Sequence, residues 1–457
     1  MIKNVFKILS GFIFAACLIF GAAACDEHTH SYSDWFCNES FHWRVPTCGC
    51  DVPAEINDHA VGGEECSVCA LPYQPTEGVL YNKYLDFVEV AGYKGTAERI
   101  RIASEYEGLP VTHIANSAFD GHKNNHKNLK TVVIPDSVVS IGESAFASCY
   151  NLLAVTIPSS VKRIGEYAFE SCINLKYVTM MDGVEYIDGF AFKNCDSLSQ
   201  VTIPDSVTYI GDRAFVQTYE NLKFNEKDGL NYLGSEKNPY LYLANPVSLD
   251  ITEATVDENC RFVGFGAFEG CKKLTTVTIP NGVRRIGNGI FYGCESLTTL
   301  QLPFLGNEEN ENGYCSLISF FERSWDHHVY PIALKSVSVA RGVIVDDAFG
   351  YYTDSDVYSN GLTSITLGDG VTAIGNRAFG YSKHLKSIVI PKSVKRLGGH
   401  LLYKCDGIET VTLEDPVGWK FVYESGEEYH FTEEELTNMD TLLSYLQSNL
   451  FTPWVKE

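Results

Sequence analysis

Apolar residues recur along most of this chain at fixed intervals, and one stretch states the pattern. From Val155 to Leu175 it reads Val-Thr-Ile-Pro-Ser-Ser-Val-Lys-Arg-Ile-Gly-Glu-Tyr-Ala-Phe-Glu-Ser-Cys-Ile-Asn-Leu. Leu152, Val155 and Ile157 supply core side chains, and strand alternation puts Val155 and Ile157 on one side. Pro158 lacks an N–H and ends that strand's ladder. Val161 and Ile164 turn inward again from a second extended piece. Gly165 follows and supplies a turn that a side chain would obstruct. Glu166 to Cys172 reads as a single helical or 3₁₀ turn, with Phe169 as the large core filler.

The stretch then returns. Ile157-Pro158 has counterparts at Ile134-Pro135, Ile203-Pro204, Ile279-Pro280 and Ile390-Pro391. Ala168-Phe169 has counterparts at Ala145-Phe146, Ala191-Phe192 and Ala214-Phe215. Cys149, Cys172 and Cys195 are 23 residues apart (172 − 149 and 195 − 172). A fixed step in this range predicts an α/β solenoid of leucine-rich repeats, about 23 residues per coil, with short strands and single helical turns. No coil buries its apolar edge alone; its neighbours do that.

The solenoid spans 131–415 on this reading, with a first coil and N-terminal cap at 76–130. That cap alternates like strands at Tyr84 to Val90, Arg99 to Ile102 and Val111 to Ile114, and it is atypical because an outermost coil lacks one neighbour. Two interruptions read as insertions. Residues 222–262 suggest a longer coil with a protruding loop. Residues 303–335 hold Phe320, Phe321, Trp325 and Tyr330, as either a recognition loop or a tucked-in one. Residues 416–457 form a C-terminal cap: Trp419, Phe421 and Tyr423 alternate as a strand, and Thr432 caps a helix running through Met439, Leu442, Leu443 and Leu446.

The cysteines of the repeat fall three residues past each Phe, where Thr218 and Ser382 also stand. That exchange describes a small, buried, weakly polar site. Adjacent coils could also bring cysteine pairs within disulfide reach.

The first 75 residues differ in kind. Residues 1–24 read as an export signal: Lys3 and Lys7, an apolar run from Leu9 to Phe20, then small residues before Cys25. This junction resembles a bacterial lipobox, which makes Cys25 the lipid-attachment residue; ordinary secretion is the competing reading. Residues 25–75 are rich in Cys and His. Cys66 and Cys69 form a CxxC, and two of Cys48, Cys50 and His59 would complete a tetrahedral structural zinc site. Disulfides are the alternative in an exported chain. A catalytic zinc is disfavoured because no HExxH helix accompanies these residues. The segment resembles the small Cys/His module that precedes the repeats in many clostridial surface proteins, through His42-Trp43 and Cys48-Gly49, although Cys50 stands where His is common there.

A formal charge of −23 over 457 residues argues against nucleic acid and anionic membranes as partners. Membrane contact is then expected through a lipid anchor only. No GxSxG elbow, P-loop or GxGxxG fingerprint is present. Apart from the zinc, no cofactor is expected. Asp326, His327 and His328 are adjacent, so regular backbone cannot aim all three at one ion. Thr156, Thr179, Thr202, Thr278, Thr366 and Thr412 each sit between inward apolar residues and so point outward as a hydroxyl ladder. Together with Trp325 they are the candidate partner-binding face; plain β-propensity is the competing explanation for the threonines.

The whole pattern, Leu-x-x-Val-x-Ile-Pro-x-Ser-Val-x-x-Ile-Gly-x-x-Ala-Phe-x-x-Cys, closely resembles the BspA-type leucine-rich repeat family over roughly residues 84–415. Members of that family are surface-exposed or secreted, and some bind host matrix proteins, host cells or other bacteria. The resemblance implies a non-enzymatic cell-surface protein that binds an extracellular protein or glycan. The alternative is an envelope structural or scaffold protein. A monomer is expected.

Overall fold

The computed structural model describes residues 74–123, 126–308, 316–322, 333–350, 361–423, 426–447 and 453–456, with the backbone of three short strands, Phe36–Cys37, Phe41–Arg44 and Glu55–Asp58. The chain forms two compact units, residues 1–223 with 234–238, and residues 224–233 with 239–457. Each contains β-solenoid coils of roughly 23 residues, set by the repeat's step.

In the first unit most coils give one strand to each of two parallel sheets. One sheet stacks Arg99–Arg101, Thr131–Val133, Ala154–Ile157, Tyr177–Met180 and Gln200–Thr202. The other stacks Leu109–Ile114, Ser140–Ile141, Arg163–Ile164, Tyr186–Ile187 and Tyr209–Ile210. Register advances one repeat at a time, so Val155 lies opposite Val178 and Val178 opposite Val201. Like therefore stacks on like. Ile157, Val161, Ile164, Phe169, Cys172 and Leu175 are each 0 % exposed. The phenyl rings form a spine: centroids are 5.0 Å apart for Phe119 and Phe146, 5.2 Å for Phe146 and Phe169, 5.3 Å for Phe169 and Phe192, and 5.4 Å for Phe192 and Phe215.

The segment expected as a single helical or 3₁₀ turn keeps the three-residue hydrogen bonds of the second but is a chain of tight turns. The amides of Ala168, Glu170 and Cys172 reach back three residues to the carbonyls of Gly165, Tyr167 and Phe169, at 3.2, 2.9 and 3.3 Å. The amides between them, Tyr167, Phe169 and Ser171, donate to Gly189, Ala191 and Lys193 of the next coil, at 3.2, 2.8 and 2.8 Å. Tyr167 at φ 56° and Ser171 at φ 58° are left-handed, which breaks the helix and turns every second donor outward. Phe190, Asn194, Arg213 and Gln217 repeat these two conformations, and in the second unit Gly266, Gly270, Gly289 and Gly293 hold them. Gly165 is glycine for another reason: a Cβ there would lie 2.7 Å from the carbonyl carbon of Gly142, so the coils could not close together.

The first cap differs from its expected strands. Val79–Lys83 pairs antiparallel with Val88–Tyr93, which runs parallel to Leu109–Ile114. Between them Tyr84 N donates to Phe87 O at 2.9 Å, so the chain reverses where Tyr84 to Val90 alternates. Leu85, at the tip, is 97 % exposed. An antiparallel strand lying along the sheet edge does what a preceding coil would otherwise do.

The second unit opens with its own hairpin. Asn225–Lys227 and Leu230–Leu233 pair antiparallel around Asp228 and Gly229, at φ 52° and 76°. Leu230–Leu233 pairs antiparallel with Tyr242–Pro246, which runs parallel to Phe262–Val263, and that strand to Arg285–Ile286. Most of 222–262 is therefore the head of a unit and not a loop protruding from a coil, whereas Gly234–Asn238 packs in the first unit. The companion sheet stacks Glu253–Thr255, Thr276–Thr278, Thr299–Leu302, Ser336–Ile344 and Ser364–Ile374. The last two strands continue past the corner at Ala340 and Gly368, where several other coils have a ladder-ending proline; Met181 and Glu414 stand at the same corner and their strands still end, so losing the proline permits the longer ladder without dictating it.

Within 303–335 the described part is tucked in: Phe304, Leu305, Leu317, Phe320 and Phe321 are buried. Phe291 N donates to Phe320 O at 2.7 Å, as Phe169 N does to Ala191 O, so Phe320-Phe321 takes the Ala-Phe place. The C-terminal cap has the strand Trp419–Val422, a capping box between Thr432 and Glu435, and the strand Trp454–Lys456 antiparallel to Arg396–Leu397. Its expected single helix is two, Glu433–Thr437 and Met439–Gln447, because Asn438 is extended at ψ 115°.

Candidate partner-binding surface

Strand alternation decides what each sheet shows. In the first unit Thr156 lies opposite Thr179 and Thr179 opposite Thr202, all three half-buried on the outer side. In the second unit Thr255 lies opposite Thr278, Thr278 opposite Gln301, Gln301 opposite Ser338, and Ser338 opposite Thr366. Thr412 faces Val389. The six threonines thus belong to separate columns in different units, and other polar residues or a valine interrupt them. A second hydroxyl set was not apparent from alternation: the hydroxyls of Thr275, Thr298, Thr363 and Ser199 donate to the carbonyls of Thr252, Thr275, Lys335 and Lys176, at 2.8, 3.0, 3.2 and 3.1 Å. These groups tie coils together and keep their donors occupied.

The other sheet of the first unit shows a different row. In register run Glu89, His113, Ser140, Arg163, Tyr186 and Tyr209. Their strand neighbours Ile114, Ile141, Ile164, Ile187 and Ile210 are buried, so the row faces out. Aromatic rings gather at both ends. The Phe87 ring lies 4.8 Å from that of His113 and 4.6 Å from that of Tyr84. The rings of Tyr186 and Tyr209 are 6.1 Å apart. The charges between them are paired: Arg163 Nε donates to Asp188 Oδ2 at 2.6 Å, and Lys162 Nζ lies 3.0 Å from Glu185 Oε1. Sequence reading missed this row because its residues share a register position and no residue type.

The repeat cysteines are free and buried. The thiols of Cys149, Cys172, Cys195, Cys294 and Cys405 donate to the carbonyls of Phe119, Phe146, Phe169, Phe268 and Phe379, one coil back, at 3.1, 3.2, 3.2, 3.1 and 3.0 Å. Burial pushes the thiols of Cys260, Cys294 and Cys405 up to about 12 and that of Cys271 up to about 11. A reactive cysteine needs the opposite environment. Among the described residues no group of three or more His, Cys, Asp or Glu is placed to hold a metal ion. Cys25, Cys48, Cys50, His59, Cys66, Cys69 and Trp325 lie outside the described residues.

Stacked coils with a strand in each sheet and a phenylalanine spine define a leucine-rich repeat solenoid. The family model described as BspA type leucine rich repeat region matches six copies over residues 110–236, 247–318 and 354–452, and the chain belongs to that family. A leucine-rich repeat protein from Bacteroides ovatus is 24% identical, with a TM-score of 0.36, over 74% of this chain and 88% of that one. A leucine rich cell surface protein from Faecalibacterium prausnitzii is 22% identical, TM-score 0.30, over 75% of this chain and 94% of that one. The pneumococcal vaccine antigen PcpA is 17% identical, TM-score 0.31, over 85% of this chain and 99% of that one. No curated protein matches the chain.

Proposed function

We propose that the protein is exported, held at the cell surface through Cys25 or secreted, and binds an extracellular protein or glycan partner without chemical turnover. One observation carries the binding role. The described coils turn their repeat thiols and most large apolar groups inward, and present outward rows of hydroxyl, aromatic and charged side chains, several of the charges paired with each other. Such rows suit contact spread over many coils. The cell-surface neighbour from Faecalibacterium prausnitzii is in keeping with export. A structural zinc held by Cys66, Cys69 and two of Cys48, Cys50 and His59 belongs to this reading, as a support for the N-terminal module.

Two experiments test it. The chain from Cys25 onward, with position 25 changed to Ser, is screened against immobilised matrix proteins and a glycan array; saturable binding to at least one is expected, and silence across both panels would refute the binding role. Labelled fatty acid should enter the full chain and not its Cys25→Ser form; equal labelling of the two would refute lipid attachment at Cys25.

A further inference from the structure

We propose that the outer row of the first unit, from His113 to Tyr209, binds an uncharged, extended polysaccharide. This rests on the reading that the coils bind an extracellular partner, and it names the partner's chemistry and the sheet that holds it.

The fold does not require this row. The equivalent positions of the second unit hold Phe262, buried at 2 %, then Arg285, and further along Ala373 opposite Arg396. The first unit places Tyr186 there, 43 % exposed, with Tyr209 in register beside it. Tyrosine on a short rigid strand presents a flat apolar face and a hydroxyl while losing little rotamer freedom, which suits the two-sided surface of a sugar ring.

The charges argue for a neutral ligand. Arg163 and Lys162 already face Asp188 and Glu185, and Asp188 is mostly covered, its side chain 12 % exposed. The row therefore offers no unbalanced positive field, and the chain's charge of −23 repels polyanions. What remains outward is hydrogen-bonding capacity without net charge: the guanidinium of Arg163, 62 % exposed as a side chain, the hydroxyl of Ser140 and the ring of His113, whose Nδ1 is already hydrogen-bonded to Thr112 Oγ1 at 2.7 Å.

Size separates a polysaccharide from a folded protein. Strands in a sheet are about 4.8 Å apart, so the four steps from His113 to Tyr209 span roughly 19 Å. Beyond the hairpin at its first end, where Leu85 is 97 % exposed, the row is one or two side chains wide and its exposed aliphatic neighbour is Val139, 40 % exposed. A stable protein partner covers about 800 Å² and wants a desolvated apolar centre, which a strip this narrow does not provide. A ribbon lying along the stack needs neither.

The test is affinity electrophoresis of the full chain through gels carrying hydroxyethylcellulose, galactomannan or chondroitin sulfate, with an immobilised matrix-protein panel run beside them. A variant carrying Tyr186→Ala and Tyr209→Ala is compared with one carrying Thr156→Ala and Thr179→Ala on the other sheet. We expect retardation by at least one neutral polysaccharide, no retardation by chondroitin sulfate, a loss of apparent affinity of tenfold or more in the tyrosine variant, and no loss in the threonine variant. Should the double variant not match the wild type by circular dichroism, Tyr186→Ala alone carries the comparison. Retardation that survives the tyrosine changes, or none in either neutral gel, overturns the proposal. Binding to the matrix proteins alone overturns it while leaving the broader binding role standing; no binding to any probe refutes both.

Discussion

Replacing Phe169 by Ala tests whether the phenylalanine spine holds the coils together. The ring is 0 % exposed and lies between Phe146 and Phe192, at 5.2 and 5.3 Å and within 6° and 1° of parallel. Removing a buried phenyl costs about 3–5 kcal/mol, a large part of the roughly 5–15 kcal/mol that holds a domain folded. In a stack whose stability is a sum over neighbouring layers, the loss falls on the two interfaces that Phe169 makes. Native-state hydrogen exchange reads those interfaces directly, because the amides of Phe146, Phe169 and Phe192 donate to Ala168, Ala191 and Ala214 one coil on, each at 2.8 Å. At about 1.4 kcal/mol per decade, their protection should fall by roughly two to three and a half decades. Phe169→Leu separates burial from stacking: it keeps most of the apolar area and loses two ring contacts, each worth about 0.5–1.5 kcal/mol, so about 1–3 kcal/mol should go. A loss below about 1 kcal/mol for Phe169→Ala would refute the view that the spine carries this stability.

Gln217 is exposed and left-handed at φ 59°, so Gln217→Gly should stabilise the first unit: relief of about 1–2 kcal/mol of backbone strain outweighs glycine's extra unfolded entropy of about 0.5–1 kcal/mol. A lowered urea midpoint would contradict this. The thiols of Cys294 and Cys405 titrate at about 12 when folded and near 8.5 unfolded, so the folded state holds protons that the unfolded state has released. Their contribution should be intact below about pH 8.5 and decline from there to about 12; changing both to Ser should flatten the fall in urea midpoint between pH 9 and 11, and an unchanged slope would count against it. Thr432→Ala removes the hydroxyl that accepts from Glu435 N at 3.2 Å and should cost the C-terminal cap about 0.5–2 kcal/mol by thermal denaturation, with no cost if the cap does not depend on that helix.

The solenoid could be read from the chain because its signal is redundant. Ile157-Pro158, Gly165, Ala168-Phe169 and Cys172 recur together, and each has one physical job. Most of what escaped reading had no consistent residue-type signature. In the first unit the left-handed turns are filled by Ser171, Tyr167, Phe190 and Arg213, so glycine marks them only in the second unit, at Gly266, Gly270, Gly289 and Gly293, and the segment read as helical. The hairpin at Tyr84 to Phe87 hid inside an alternation that a strand would also give. The second unit's opening had a usable signal, Asp228-Gly229 just ahead of the alternating Leu230 and Tyr232, which is a hairpin turn and not a loop. Asn438 split the cap helix although apolar spacing continues across it. The candidate surface divides the same way. Alternation gave the outward threonines, whereas the row through Arg163, Tyr186 and Tyr209 exists only once coils are set in register.

The most direct test of the account is isothermal calorimetry of the full chain with whichever partner the binding panels return, followed by mass spectrometry of that partner. A saturable heat and a partner recovered chemically intact are expected. A heat that persists with each addition, with cleaved or modified partner in the cell, would contradict it.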